Sequence, residues 1–241
     1  MLHQTRGIVL KTTSYSESSV VVKILTEKLG IQTYLIHGVK KPKAKIPMNL
    51  LQSLHLLDMI VYHKAGVQLQ RMAEARPCPA FRTIPYDLVK NTMVQFLNEV
   101  LYKAIGEGIG DEQLFDFIYH ALCWFDETDE AVVNFHLSFL MKLSKYLGFA
   151  PHFEVHPSLV YFDLQEGAFS AFPPVHPYFI EKEDANWLRV LFLSPFEKLN
   201  ELKIPNPKRR HLLAKLLVYY SLHTASMGQI KSHQILEEVL S

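Results

Sequence analysis

The chain has 241 residues, 49% hydrophobic and 20% charged, the composition of a folded globular protein with ample material for a core. It contains no run of about eighteen apolar residues to span a membrane, and Cys78 and Cys123 alone make no disulfide framework, which suits a reducing cytoplasm. The net charge of +1 hides an asymmetry: residues 1–80 carry eight Lys and three Arg against Glu17, Glu27, Asp58 and Glu74, a balance of +7, whereas the remaining 161 carry 14 basic and 20 acidic side chains, a balance of −6.

The N-terminal segment Met-Leu-His-Gln-Thr-Arg-Gly lacks the apolar core of a signal peptide. Strand patterns follow at Gly7–Thr13, Ser19–Thr26 and Ile31–Ile36, where Ile31, Thr33 and Leu35 fall on one face and Gln32, Tyr34 and Ile36 on the other. A long apolar stretch from Leu50 to Tyr62 and a last strand at Val67–Met72 complete five short strands with Gly-bearing turns. Such a set predicts a small closed barrel, since an open sheet of that size would leave two sticky edges. The five-stranded barrel most used for nucleic acids is the OB-fold. Between the third and fourth strands lies Lys40-Lys41-Pro42-Lys43-Ala44-Lys45, the densest part of the positive surface. A lone run of this kind is a solvated loop, but here the surrounding strands are basic too, which points to a polyanion.

Arg76-Pro77-Cys78-Pro79 ends the strand pattern. Asp87 caps a predicted helix to Ile105 with an apolar stripe of Leu88, Met93, Phe96, Leu97, Val100 and Leu101. Gly106, Gly108 and Gly110 read as a flexible connection into a helix from Asp111 to Phe125, and a third helix spans Glu130 to Leu147, stopped by Gly148 and Pro151. Residues 149–181 are proline- and aromatic-rich, with short strands expected near Val160–Phe162 and Phe169–Ala171 around a turn at Gly167. Helices resume at Asp184–Leu193 and, behind an Asn206 cap and Pro207, run to Thr224; a short one begins near Ser232.

Catalytic motifs are absent: the chain has no GxGxxG, Walker loop, HExxH or GxSxG. The acidic stretch holding Asp126, Asp129 and Glu130 admits a metal-dependent nuclease, although acidic helix caps explain it more simply. His152, His156 and His176 would offer three zinc ligands if their loops converged, yet no Cys or carboxylate is placed to complete a site, so neither metal nor cofactor is expected.

Several segments resemble the bacterial recombination mediator family RecO. Gly7-Ile8-Val9-Leu10-Lys11-Thr12 with Tyr15, Glu17, Ser18, Leu25-Thr26 and Gly30 is similar to the family's opening. His37-Gly38-Val39-Lys40-Lys41-Pro42-Lys43 resembles its stretch after the third strand, Leu147-Gly148-Phe149-Ala150-Pro151 the end of its central helix, and Lys231-Ser232 its C-terminal segment. The resemblance implies an α+β chain: an OB-fold domain at 1–80 and a helical domain at 81–241. It also implies binding of single- and double-stranded DNA, strand annealing, and loading of recombinase on strands covered by single-stranded-DNA-binding protein. The implied partners are RecR, the C-terminal tail of single-stranded-DNA-binding protein and, beyond them, RecF and the recombinase RecA, in the cytoplasm at the nucleoid. Many members bind zinc through two CxxC pairs after the Leu-Gly-Phe-x-Pro segment. Here 152–181 has no cysteine, so 149–181 reads as a degenerate, zinc-less insertion that folds on Phe153, Tyr161, Phe162, Phe169, Phe172 and Tyr178.

The expected mechanism is therefore binding without catalysis, with lysines neutralising phosphates and aromatics stacking bases. The residues assigned to DNA are Lys11, Lys23, Lys40, Lys41, Lys43, Lys45, Arg71 and Arg76. Lys208-Arg209-Arg210, cations at a helix N-terminus where the dipole disfavours them, are assigned to an acidic peptide tail. An RNA-binding adaptor built on the same barrel is the alternative, ahead of the nuclease.

Overall fold

In the computed structural model the described residues are 1–241 without 107, 109, 131 and 154–158, and without the side chain of residue 182. Contacts divide the chain into two units, Met1–Glu127 and Thr128–Ser241.

In the first unit β1 (Leu2–Ser14), β2 (Val20–Thr26), β3 (Gly30–Ile36), β4 (Leu56–Tyr62) and β5 (Leu69–Pro77) close in the order β1-β2-β3-β5-β4. β4 returns to β1, and β3 with β5 is the parallel pair. This is the predicted OB-type barrel. β1 begins at Leu2 and not at Gly7 because it serves two neighbours. Its first half pairs with β4, Leu2 opposite Tyr62 through Ile8 opposite Leu56, and its second half pairs with β2. Gln4 and Arg6 interrupt the apolar signal there. The stretch read as one strand from Leu50 is broken: Met48–Leu51 forms a 3-10 turn, and Leu54 takes a φ of 58° before β4 starts at Leu56. β5 continues past Met72 to Pro77, with Arg76 opposite Asp58. Val22, Ile24, Tyr34, Ile36, Met59 and Val61 fill the interior by the period-2 rule.

Helices α1 (Leu88–Ala104) and α2 (Glu112–Glu127) complete this unit. The Asp87 carboxylate accepts a hydrogen bond from Lys90 N at 2.9 Å, the predicted cap, and Asp111 does the same for Gln113 N and Leu114 N. Met93, Phe96, Leu97, Val100 and Leu101 form the buried stripe of α1; Leu88 does not belong to it and is 71% exposed. The glycines before α2 are more than a connection. A Cβ on Gly110 would lie 2.9 Å from Gly30 N and 3.0 Å from the Lys28 carbonyl carbon, so this backbone packs on the β2–β3 turn at a distance only glycine allows.

In the second unit α3 (Phe135–Tyr146) is buried nearly all round, as suits a central helix. It starts at Phe135, not Glu130: Asn134 occupies the cap position and sends its side-chain NH2 to Leu202 O at 2.8 Å. It stops as expected. Gly148 takes a φ of +87°, and Phe149 N donates to Ser144 O at 3.0 Å. Around it lie α4 (Lys182–Leu193), a 3-10 turn at Phe196–Glu201, α5 (Asn206–His223) and α6 (His233–Val239). Pro205 and not Asn206 is the cap of α5, one residue before the predicted start. Ser138 Oγ donates to Leu191 O at 2.8 Å and the Tyr220 hydroxyl to Leu140 O at 2.7 Å, tying α3 to α4 and α5.

Within 149–181 the strands β6 (Tyr161–Asp163), β7 (Ala168–Ser170) and β8 (Phe179–Ile180) form a sheet ordered β7-β6-β8. Phe162 is fully buried, with ring contacts to Phe169 at 5.1 Å and Tyr219 at 5.7 Å, and Phe153 meets Phe169 and Phe192. The aromatic packing of this segment is thus partly as expected. Phe172 and Tyr178 are the exceptions, 80% and 41% exposed on the loop between β7 and β8.

Candidate nucleic-acid interface

A bulge between Val9 and Lys11 sets Lys11 outward and directly opposite Lys23. Like charges so placed repel. The ring of Tyr102 on α1 lies 4.7 Å from the Lys11 ammonium and 5.6 Å from that of Lys23, and its negative face offsets the repulsion. From there the registry runs across the sheet, Lys11 to Lys23 to Thr33 to Leu69. The next outward row is Thr13, Val21, Leu35, Arg71 and Tyr62. Three of the assigned cations, Lys11, Lys23 and Arg71, therefore point outward from the barrel, on β1, β2 and β5. Beside Lys23 an open groove of about 540 Å³ is lined by Lys23, Ile31, Thr33, Gln68 and Leu69, reaching from β2–β3 onto the β4–β5 loop. Groove, strands and loop are those through which OB-folds take up single strands.

The basic loop is held against the barrel by the β1–β2 loop. Val39 N donates to Ser18 O at 2.9 Å, and Ser19 Oγ meets His37 Nδ1 at 2.9 Å, so the β3–β4 loop is clasped to the β1–β2 loop. Lys40, Lys41 and Lys43 are exposed, and among the described residues no carboxylate is paired with them. Lys45 differs, with Glu74 at 3.0 Å, and Arg76 is held by Asp58 at 2.6 Å. That contact keeps the Asp58 carboxyl below its ordinary range. Of the eight assigned cations, Lys45 and Arg76 are held by carboxylates, Lys11 and Lys23 lie by the Tyr102 ring, and Lys40, Lys41, Lys43 and Arg71 are exposed.

Composition alone did not mark the flat apolar and aromatic parts of this surface. Tyr15 on the β1–β2 loop is 64% exposed, and Tyr62 at the end of β4, opposite Arg71 in the register, is 55% exposed. The alternation in β3 held the needed signal, since the row opposite buried Tyr34 and Ile36 had to face outward.

Arg6, one of the charges behind the +7, has an internal role. Its guanidinium pairs with Glu27 at 3.0 Å and Asp116 at 2.8 Å, and lies 4.6 Å from the Tyr119 ring centroid and 5.2 Å from that of Phe115. The Glu27 hydrogen bond is the chief reason its pKa rises further, and Glu27 is lowered in turn.

The Lys208-Arg209-Arg210 cluster is likewise held inside its unit. Lys208 pairs with Asp184 at 2.7 Å, Arg209 donates to Ile204 O and Leu240 O, and Arg210 donates to Glu237 O at 2.9 Å. The last two contacts put cations on the carbonyl end of α6, where a helix dipole favours them. What is unfavourable for α5 is favourable for α6.

The nuclease reading loses its central ligand. Asp126 is 3% exposed and accepts from Arg82 N, Thr83 N and Ile84 N at 2.7 to 2.9 Å, which commits its carboxylate to the chain entering α1. Glu130 is hydrogen-bonded to Asn200. Among the described residues no three His, Cys, Asp or Glu side chains gather as a metal site. His176 accepts from Tyr178 N at Nδ1 and contacts Asp163 through Nε2 at 3.1 Å, so both ring nitrogens are engaged; His156 lies outside the described residues. No helix is long and apolar enough to cross a membrane among the described residues.

Two family models match the chain: Recombination protein O N terminal over residues 1–81 and Recombination protein O C terminal over 85–233. Among curated relatives, the chain is 32% identical over 241 residues to "DNA repair protein RecO" of Phocaeicola vulgatus, with all of both chains covered. It is 32% identical over 240 residues to the protein of that name from Bacteroides fragilis and 33% over 243 to that from Flavobacterium psychrophilum, with 99% of each chain covered.

Proposed function

Because the chain belongs to the recombination protein O family of DNA repair proteins, we propose that it is a non-catalytic recombination mediator working by the electrostatics and stacking of its barrel face. It binds single- and double-stranded DNA, anneals complementary strands, and helps load recombinase onto strands covered by single-stranded-DNA-binding protein. RecR and the tail of that binding protein are its partners in this reading, with RecF and RecA downstream, and its place is the cytoplasm at the nucleoid.

One observation carries the reading: the outer surface of the barrel presents Lys11, Lys23 and Arg71 with exposed Tyr62, and the clasped loop adds exposed Lys40, Lys41 and Lys43. Cations on such a face release counterions from either strand form, whereas rings stack only on unpaired bases. Annealing follows from the same chemistry, since neutralised phosphates let two strands approach while their base edges stay free. Replacing both Tyr15 and Tyr62 by Ala is expected to weaken binding of a single-stranded oligonucleotide about tenfold or more, at roughly 1–3 kcal/mol per stacked base. Duplex affinity should change little. Fluorescence anisotropy with both oligonucleotides, beside a strand-annealing assay, measures this; an equal loss on both forms would remove stacking from the mechanism.

A further inference from the structure

A second concavity in the first unit lies off the barrel face. It holds about 300 Å³ and is lined by Asn49, Gln52, His55, Pro79, Phe81 and Tyr86, among others. Its walls are flat and stiff. His55 meets Phe81 edge to face at 5.7 Å, and Pro77, Pro79 and Pro85 restrict the backbone of the lining. Tyr86 is 88% exposed, an aromatic ring with almost none of its surface covered. Besides His55 and the Tyr86 hydroxyl, the polar lining includes two amides, Asn49 and Gln52, neither of which has a side-chain hydrogen-bond partner among the described residues. Burial holds the His55 imidazole toward its neutral form, and no carboxylate lines the cavity.

We infer that this pocket takes one unpaired nucleobase from the strand that the basic loop tracks; the inference rests on the DNA reading above. The occupant follows from three features. The first is continuity: the 3-10 turn bearing Asn49 directly follows the loop of Lys40 to Lys45, so a strand bound along that loop is led to the pocket mouth. The second is charge, since Arg82 is exposed next to Phe81 of the lining and no carboxylate lines the pocket. The third is shape and chemistry. A base needs a slot between flat apolar walls and amide groups that can donate and accept along its edge, which is what Tyr86, Phe81, Asn49 and Gln52 offer. A protein engaging a base here, away from the barrel face, would hold a strand at two places and keep the bases between them unpaired and available.

The test compares two oligonucleotides of equal length at equal salt, one of thymidines and one of abasic residues, which keep the phosphates and lose the bases. Each is titrated into the full chain and into its Tyr86→Ala and Gln52→Ala variants, both changes at exposed side chains. Tyr86→Ala is expected to weaken thymidine binding about tenfold and leave abasic binding and its salt dependence unchanged, with a smaller loss for Gln52→Ala. Wild-type and variant curves that coincide on both strands would overturn the pocket while leaving the DNA reading intact. Failure of the wild-type chain to bind either strand would overturn both. Saturable binding of a proline-rich peptide lost in Tyr86→Ala, with DNA binding unaffected, would give the groove to a protein partner instead.

Discussion

Lowering the pH from neutral to about 4.5 is expected to remove about 2–3 kcal/mol of stability from the C-terminal unit through one side chain, His136. It lies in the first turn of α3, 1% exposed, with Arg209 and Arg210 of α5 and Glu237 of α6 around the same small void. Burial, with a lesser contribution from the Arg209 charge, holds its pKa down to about 3 against 6.5 for a free imidazole. Between those values the unfolded chain binds a proton that the folded chain does not. Stability therefore falls as pH drops from about 6.5, by about 1.4 kcal/mol per pH unit, and levels off below about 3. Urea unfolding of wild type and His136→Gln at both pH values isolates the effect from that of the carboxylates. The variant should be less stable at neutral pH and lose less on acidification. Parallel losses in the two proteins would show that His136 does not carry the acid response.

The second large effect is expected at Arg6. Replacing it by Ala removes two ion pairs and two ring contacts in one step, and leaves Glu27, about one-fifth exposed, facing Asp116 without its counter-charge. Partial burial makes this more than a surface ion pair, whose usual worth is under about 1 kcal/mol. About 2–4 kcal/mol is expected for the N-terminal unit. Lys in its place keeps the charge but not the planar fork that spans both carboxylates, so Arg6→Lys should recover less than half of the loss. Thermal unfolding of the three proteins measures it. Arg6→Ala with a wild-type midpoint would mean that the cluster is geometrically neat and energetically idle.

These two residues also show where sequence reading stops. The barrel was legible because β2, β3 and β4 are β-branched and alternate in period two, and because Gly30 turns between the first pair. The first half of β1 was not, since Gln4 and Arg6 point into polar contacts with Asp58 and Glu27 and break the apolar pattern. The α3 start was misplaced for a related reason. Asp129 and Glu130 look like a capping turn, but the cap position falls to Asn134, whose partners Leu199 and Leu202 lie more than sixty residues away. Charge counting found the basic third of the chain, yet it could not separate Arg6, Lys45 and Arg76, which meet carboxylates, from Lys40, Lys41 and Lys43, which do not. The cations of α5 were puzzling only in the local frame of their own helix; α6, distant in sequence, supplies the carbonyls. Alternation along β3 was visible, but which side faced inward became plain only once the barrel had closed around Tyr34.

The salt dependence of DNA binding tests the central account most directly. Affinity for a single-stranded oligonucleotide, measured across a range of salt concentrations, gives a slope of log affinity against log salt that counts the phosphates neutralised. The triple change of Lys40, Lys41 and Lys43 to Ala should reduce the magnitude of that slope by about 2, at about 0.7 per phosphate contact on a single strand. Lys45→Ala and Arg76→Ala, each of which frees a carboxylate as it removes a cation, should retain the wild-type slope more nearly. A folded triple variant that binds DNA with the wild-type slope would place the strand on some other surface and contradict the account.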